Sequence, residues 1–274
     1  MPAVTYRPVQ KITADHHHNG RSIDAIVIEE PLEIGLQFTH DGAAVRHSIS
    51  VTMRTPGQDA DLACGFLFTE GIVPDPDAIA GIDVADANHI LITMKDDRLP
   101  HLENASRHSF MNSSCGVCGK TSIDSIFRQI PPTGDSLSID AGLLYSLPAA
   151  LNRKQDIFTA TGGLHAAALF GRDGEMIAIR EDIGRHNALD KVIGFALSRR
   201  LLPLSNSILL LSGRACFELI QKAALAGIKI IAAIGPPSSL AISLAEQSDI
   251  TLVGFLREQR FNVYAGARRI TFNT

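Results

Sequence analysis

Short apolar runs alternate with amphipathic stretches along most of the chain. Near its start AIVIEE, LEIGLQF and VRHSISVTM are β-prone, and His40-Asp41-Gly42 supplies a turn between the last two. Pro56-Gly57 breaks the third run. Leu62, Phe66 and Leu67 then repeat at helical spacing, with Asp59 or Asp61 as the expected cap and Gly71 as the stop. HILITMK is a further strand. Residues 100–122 have no clear period and read as an exposed loop, and the stretch up to Asn152 reads as helical with Pro-Thr-Gly breaks.

From about residue 157 the pattern changes. GLHAAALF and EMIAIRE read as paired strands joined by Asp173-Gly174, and NALDKVIGFALSRR as a helix. Strand and helix then alternate through SILLLS, ACFELIQKAALAG, IKIIAAIG, SSLAISLAEQ and ITLVGFL. Short, wholly apolar strands between one-faced helices predict parallel strands with crossover helices. The expected fold class is α/β, with an α/β sandwich on the C-terminal side and a smaller mixed α/β domain before it. Residues 1–22, which include His16-His17-His18, read as a lead-in without order. Residues 23–130 form the smaller domain, with a CxxC loop, and residues 131–274 the larger one.

Composition narrows the function classes. The chain has 274 residues, 45% of them hydrophobic and 20% charged, as in an ordinary soluble protein. Trp is absent, so the core must be built from Ala, Leu, Ile and Val. A net charge of −4 argues against a general nucleic-acid or membrane-surface binder but leaves room for a local basic pocket. No apolar run reaches the roughly 18 residues of a membrane span, and MPAVTYRPVQ has no secretory pattern, so a cytoplasmic protein is expected.

Four cysteines are too few for a disulfide scaffold in a chain this long. Cys64 and Cys216 fall in helical patterns and read as small packed hydrophobes. Cys115-Gly116-Val117-Cys118 is the sharpest chemical feature, and three readings of it compete. In the first, a thiolate on a glycine-flanked loop carries sulfane sulfur. The second is thioredoxin-type redox chemistry, which wants a strand leading directly into the motif, where Ser113-Ser114 stand instead. The third is zinc. His101-Leu102-Glu103 followed by CxxC resembles a zinc deaminase signature, but Ser114 stands where Pro belongs and eleven residues separate Glu103 from Cys115.

Other polar clusters lie beside strands. Four Arg (Arg257, Arg260, Arg268, Arg269) stand against Glu258 after Val253, a basic end on a mildly acidic chain. Ser212-Gly213-Arg214 and Gly235-Pro236-Pro237-Ser238-Ser239 follow strands and open helices, where phosphate can bind or where Ser and Gly simply cap and turn. His165, Arg185 and His186 could line a pocket or serve the structure. Asp182 is a candidate cap for the helix that follows it.

Together, DLACGFLFTEGI, SCGVCG, TGGLHAAAL, REDIGRHNALDKVIG, LSGRACFELIQKAALAGI and ITLVGFLREQRFNVY resemble the FdhD family, accessory sulfurtransferases required for formate dehydrogenase activity. The resemblance implies a cytidine deaminase-like α/β/α sandwich in the later part, without deaminase chemistry. It implies that Cys115 takes a persulfide sulfur from a cysteine desulfurase and passes it to molybdenum bis(molybdopterin guanine dinucleotide), bound as a substrate that a guanine nucleotide can mimic. Cys118 matches the second cysteine, and Phe255, Leu256, Arg257, Glu258, Gln259 and Arg260 match the cofactor-binding segment. Apo formate dehydrogenase is the implied client and a homodimer the implied assembly, with no intrinsic metal, nucleic acid or membrane. The chain departs from the expected Ser-rich pattern at Ala215-Cys216. The alternative is a cofactor-binding chaperone without sulfur chemistry, and a third class, a nucleoside deaminase, requires zinc.

Overall fold

The Asp41-Gly42 turn forms as its sequence dictates. Both residues have positive φ, 49° and 76°, which suits a two-residue hairpin joining β3 (Glu30–His40) to β4 (Ala43–Arg54). This is a computed structural model, and it describes residues 2–12, 14, 20–96, 98–102 and 137–272. Strict alternation in β3 turns Leu32, Ile34, Leu36 and Phe38 to one buried face. With β5 (Ile79–Asp86) and β6 (His89–Met94) these strands make a sheet of order β4-β3-β6-β5, in which β3 and β6 run parallel. Helix α1 (Asp59–Thr69) packs against it, and Gly71 takes the left-handed conformation just past the helix end.

Two expectations are corrected here. Among the described residues, β1 (Val4–Lys11) is not an unordered lead-in, because it pairs antiparallel with β2 (Gly20–Val27), while His16, His17 and His18 lie outside the described residues. Tyr6 and Ile23 on this ribbon are exposed, so its strands carry no apolar stripe to read. The expected cap of α1 is also different. Gln58 holds the N-cap position without a side-chain hydrogen bond. Asp59 instead takes a bidentate pair of 3.0 Å bonds from buried Arg54, and Asp61 pairs with Arg180 at 2.7 Å. The short first turn is thus tied to β4 and, through Arg180, to the later half of the chain.

The second sheet has the order β13-β12-β11-β10-β8-β9. Its strands are β8 (His165–Gly171), β9 (Met176–Asp182), β10 (Ser207–Leu211), β11 (Ile230–Ala233), β12 (Thr251–Arg257) and β13 (Arg260–Ala265). β10, β11 and β12 pair parallel, whereas β8 pairs antiparallel with both β10 and β9, and β13 pairs antiparallel with β12, so β8 and β13 alone run against the other four strands. The sheet is therefore mixed rather than parallel throughout. The short parallel pair of two-residue strands, β7 (Ile139–Asp140) with β14 (Ile270–Thr271), joins the end of the described chain to the start of the larger half.

Helices cover both faces of this sheet. On one face Leu144, Leu147 and Leu151 of α2 (Ala141–Asn152) pack on Ala168, Phe170, Ile208, Leu210 and Ile230. A short helix, α3 (Asp156–Thr161), follows α2. On the other face Ala167, Leu169, Leu209, Leu211 and Ile231 meet α4 (Arg185–Ser198), α5 (Phe217–Leu225) and α6 (Ser239–Gln247). That second core continues without a break into Leu32, Ile34, Leu36, Ile90 and Ile92 of the first sheet. Each of these fully buried aliphatic chains contributes about 1.5–3 kcal/mol.

The joint between the halves is the crossing of α1 and α4. A Cβ on Gly65 would lie 1.9 Å from the Asp190 carbonyl oxygen, and one on Gly194 would lie 1.8 Å from that of Asp61. The contact is reciprocal: each helix presents Asp, then Gly four residues later, to the other. Beside it the Lys222 ammonium, buried, reaches Asp190 at 2.9 Å, Glu70 at 3.1 Å and Thr69 Oγ1 at 2.8 Å. Burial would lower the Lys222 pKa, but the two carboxylates outweigh it and hold it above the ordinary lysine value. A second buried pair, Lys191 with Asp182 at 2.7 Å, anchors the head of α4 to the Thr55 carbonyl. No helix among the described residues is long and apolar enough to cross a membrane.

Candidate functional site

The parallel strands β10, β11 and β12 all end on one side of the sheet, where open α/β sheets bind ligands. Ser212 and Ile234 follow the first two, and Arg257 ends the third. Around these ends lies a cavity of about 960 Å³. Leu256, Arg257, Glu258, Gln259 and Arg260 line it, with Ser212 and His165 beside them and Leu151, Gln155 and Phe158 opposite. The segment Arg257–Arg260 is the tip of the β12–β13 hairpin, with Arg257 and Arg260 as register partners. Its sequence shows this poorly, because β13 is mostly exposed and the register shifts between Gly254 and Arg257. Phe255 sits in that shift with φ of 52° and is 40% exposed, outside the cavity lining. Five of the six residues singled out from the sequence thus converge, and Phe255 does not.

The basic end of the chain divides in two. Arg257 donates to the Ile234 and Leu256 carbonyls at 2.8 and 2.7 Å, which fixes its guanidinium at the cavity. Arg268 and Arg269 instead hold the Asp249 carboxylate, whose pKa they keep below the ordinary value, with the Arg268 hydrogen bond the larger effect. These two serve the packing of the chain's end and do not line the cavity.

The loops after β10 and β11 touch through their backbones. Gly235 N–H donates to the Gly213 carbonyl at 3.0 Å, and a Cβ on Gly235 would lie 2.8 Å from that same oxygen. Ser238 Oγ caps α6 by accepting from Ala241 N–H. Ser212 Oγ accepts from Ala166 N–H at 2.8 Å. Turn and capping roles therefore account for most of these two segments. Asp182, expected as a helix cap, is buried and accepts from Gly184 N–H, Asn187 and Thr55 N–H as well as from Lys191.

Beside the cavity stands a second cluster that spacing did not reveal. Cys216 packs against the core as expected, but it lies at the N-cap position of α5 rather than within the helix and is half-buried. Its Sγ lies 3.4 Å from His186 Nε2, and that same nitrogen lies 2.8 Å from Glu218 Oε2. Burial would raise the Cys216 pKa, but the hydrogen bond and charge of His186, the Leu219 N–H and Arg185 outweigh it and bring it down to about 7. Burial would lower His186, but Cys216 and Glu218 carry it up to about 9. His165 faces both regions. Burial, then the charges of Arg185, Arg214 and His186, lower its pKa and favour the neutral ring. Cys64, by contrast, behaves as read from the sequence: buried in α1, it is pushed up to about 11 by burial and by Asp61.

His186, Cys216 and Glu218 also offer one nitrogen, one sulfur and one oxygen within 4.8 Å of one another, a group able to hold a metal ion. The only sequence trace of the cluster is Cys216-Phe217-Glu218, since His186 lies thirty residues earlier on another helix. His101 donates its backbone N–H to Ile72. Cys115, Cys118 and Glu103 lie outside the described residues.

A direct consequence concerns pH. Alkylation of Cys216 by iodoacetamide in the folded protein is expected to rise with a midpoint near pH 7, whereas Cys64 stays unlabelled through pH 9. Peptide mapping after brief labelling across pH 5–9 measures both.

The full length of the chain has counterparts. A protein of Mycolicibacterium paratuberculosis described as "Sulfur carrier protein FdhD" is 45% identical over 98% of this chain and 100% of its own. One of Streptomyces avermitilis with the same description is 46% identical over 90% of this chain and 89% of its own. Among solved structures, a formate dehydrogenase accessory protein from Desulfotalea psychrophila superposes with a TM-score of 0.76, covering 98% of this chain and all of its own at 24% identity, which speaks for the fold. The signature of the FdhD/NarQ family spans residues 28–271, from the first strand of the β3–β6 sheet's neighbourhood to β14, and so takes in both sheets and the cavity between α2 and the β12–β13 hairpin. On that match and on these relatives, the chain belongs to the FdhD/NarQ family.

Proposed function

We propose that this protein is a sulfur carrier that serves formate dehydrogenase. In this reading Cys115 receives a sulfane sulfur from a cysteine desulfurase. The sulfur then passes to a molybdenum bis(guanylyl-pterin) cofactor held in the strand-end cavity. The observation that carries it is the convergence of Leu256–Arg260 with His165 and Ser212 around about 960 Å³ of space at the ends of three parallel strands. The cofactor offers pyrophosphates and guanines, and two arginines at a hairpin tip suit such anions. A likeness of the larger half to the cytidine deaminase fold, a homodimer and a cytoplasmic location belong to the same proposal. The relatives' description as sulfur carriers supports it.

Two measurements test it. Arg260→Ala is expected to weaken GDP binding about tenfold, the loss of one charge-assisted contact, while leaving thermal stability unchanged. Unaltered GDP affinity in Arg260→Ala and in Arg257→Ala would remove the cavity from the reading. Cys115→Ala is expected to bind GDP normally and to fail in activating formate dehydrogenase. If it activates the enzyme fully, the protein is a cofactor chaperone, a reading the cavity favours equally and the cysteine alone opposes.

A further inference from the structure

We infer that Cys216 is a second sulfur-accepting thiol, a station separate from the CxxC loop, set between the heads of α4 and α5. The inference rests on the sulfur-carrier reading but uses only residues 185–219. The geometry around Sγ is that of a stabilised anion. His186 Nε2 lies 3.4 Å away, and the Leu219 N–H at the head of α5 and the Arg185 guanidinium at the head of α4 add to the stabilisation of the thiolate. Glu218, 2.8 Å from the same His186 nitrogen, offsets the charge of the imidazolium. Cys216 is half-buried rather than sealed in the core, and access of a small donor to its sulfur is part of what labelling tests.

Two other uses of the cluster fit less well. In a nucleophile–base–orienter relay the acid holds the second ring nitrogen of the histidine. Here sulfur and carboxylate both face Nε2, so Glu218 balances charge and does not relay it. The same convergence could suit a metal ion. A dication would then sit against Arg185 and the positive end of α5, two features that favour an anion instead.

The step balances without an outside oxidant. The Cys216 thiolate attacks the terminal sulfur of a persulfide, R–S–SH. The new bond joins Cys216 Sγ to that sulfur as the old S–S bond breaks. The donor leaves as R–S⁻ and takes the proton from the His186 imidazolium. One S–S bond replaces another, and no net electrons move.

The full-length protein, reduced and desalted, would be exposed briefly to sodium tetrasulfide at pH 7 and mapped by non-reducing mass spectrometry. A sulfur increment on the Cys216 peptide, reversed by dithiothreitol and absent from buried Cys64, is the expected result. In the Cys115→Ala/Cys118→Ala chain the Cys216 increment should persist. His186→Gln should slow it roughly tenfold or more, since a thiol of ordinary pKa is only about 3% ionised at pH 7. Glu218→Gln, with a melting curve for each variant, gives a second perturbation of the same sulfur should His186→Gln fold poorly. Sulfur on Cys115 but never on Cys216 overturns this inference alone. Sulfur on neither overturns the carrier reading with it. Stoichiometric zinc that is lost in His186→Gln, with Cys216 protected from sulfur, assigns the cluster to a metal and overturns the inference.

Discussion

Gly194→Ala is expected to destabilise the protein by about 3 kcal/mol, the upper part of the usual cost of overpacking. The reason is the crossing of α1 and α4, where an added methyl on Gly194 would fall 1.8 Å from the Asp61 carbonyl oxygen. Backbone cannot move aside as the end of a side chain can. The helices must separate, and the neighbouring contacts of Leu62, Leu189 and Ile193 loosen with them. Gly65→Ala meets the Asp190 carbonyl in the same way and should cost a similar amount. Because both changes relieve themselves by the same separation, the double variant should lose clearly less than the sum of the two. Urea unfolding of the four proteins measures this. Additive losses, or a loss under about 0.5 kcal/mol in either single variant, would mean that the crossing is looser than described.

Lys222→Met is expected to cost about 3–5 kcal/mol, because it strips the cation from a buried cluster and leaves its partners behind. Asp190 is fully buried and Glu70 nearly so, and Lys222 binds both. In the variant the stranded acids would take up protons more readily than in the natural protein. The stability deficit should therefore shrink as pH falls from 8 to 5, as protonation relieves the unpaired charge. A deficit that stays constant over that range would assign the loss to packing alone. Lys222→Arg keeps the charge but not the shape and should fall between the two.

How far the sequence foretold this molecule depends on where each signal lives. Ile208–Leu211 and Ile230–Ala233 are buried on both faces, so their unbroken apolar character announces central strands. Asp41-Gly42 names its own turn. The β1–β2 ribbon buries little, so nothing in its composition demands a strand. The antiparallel return of β13 is equally quiet, and the basic segment reads as a tail until pairing shows it to be a hairpin tip. Lys222 and Asp190 look like the polar faces of two surface helices, and only the close approach of α1 turns those faces inward. The cavity-lining residues came from resemblance to a family and not from spacing. The Cys216 cluster draws on two helix heads thirty residues apart, a separation no local pattern encodes. The run Cys216-Phe217-Glu218, which begins where the chain departs from the family's usual Ser-rich segment, is the one trace that a reader of the chain can see.

The continuous core has a consequence for how this protein can be divided. The buried set that includes Leu32, Ile34 and Ile90 also includes Leu189, Ile193 and Ile220. A fragment ending at Leu102 would present the α1 face to water, and a fragment beginning at Leu137 would present the matching face of α4. Neither piece has the outline of a transplantable module. A chimera exchanging one half of this chain for that of a distant relative must then also exchange the glycines and carboxylates along the seam.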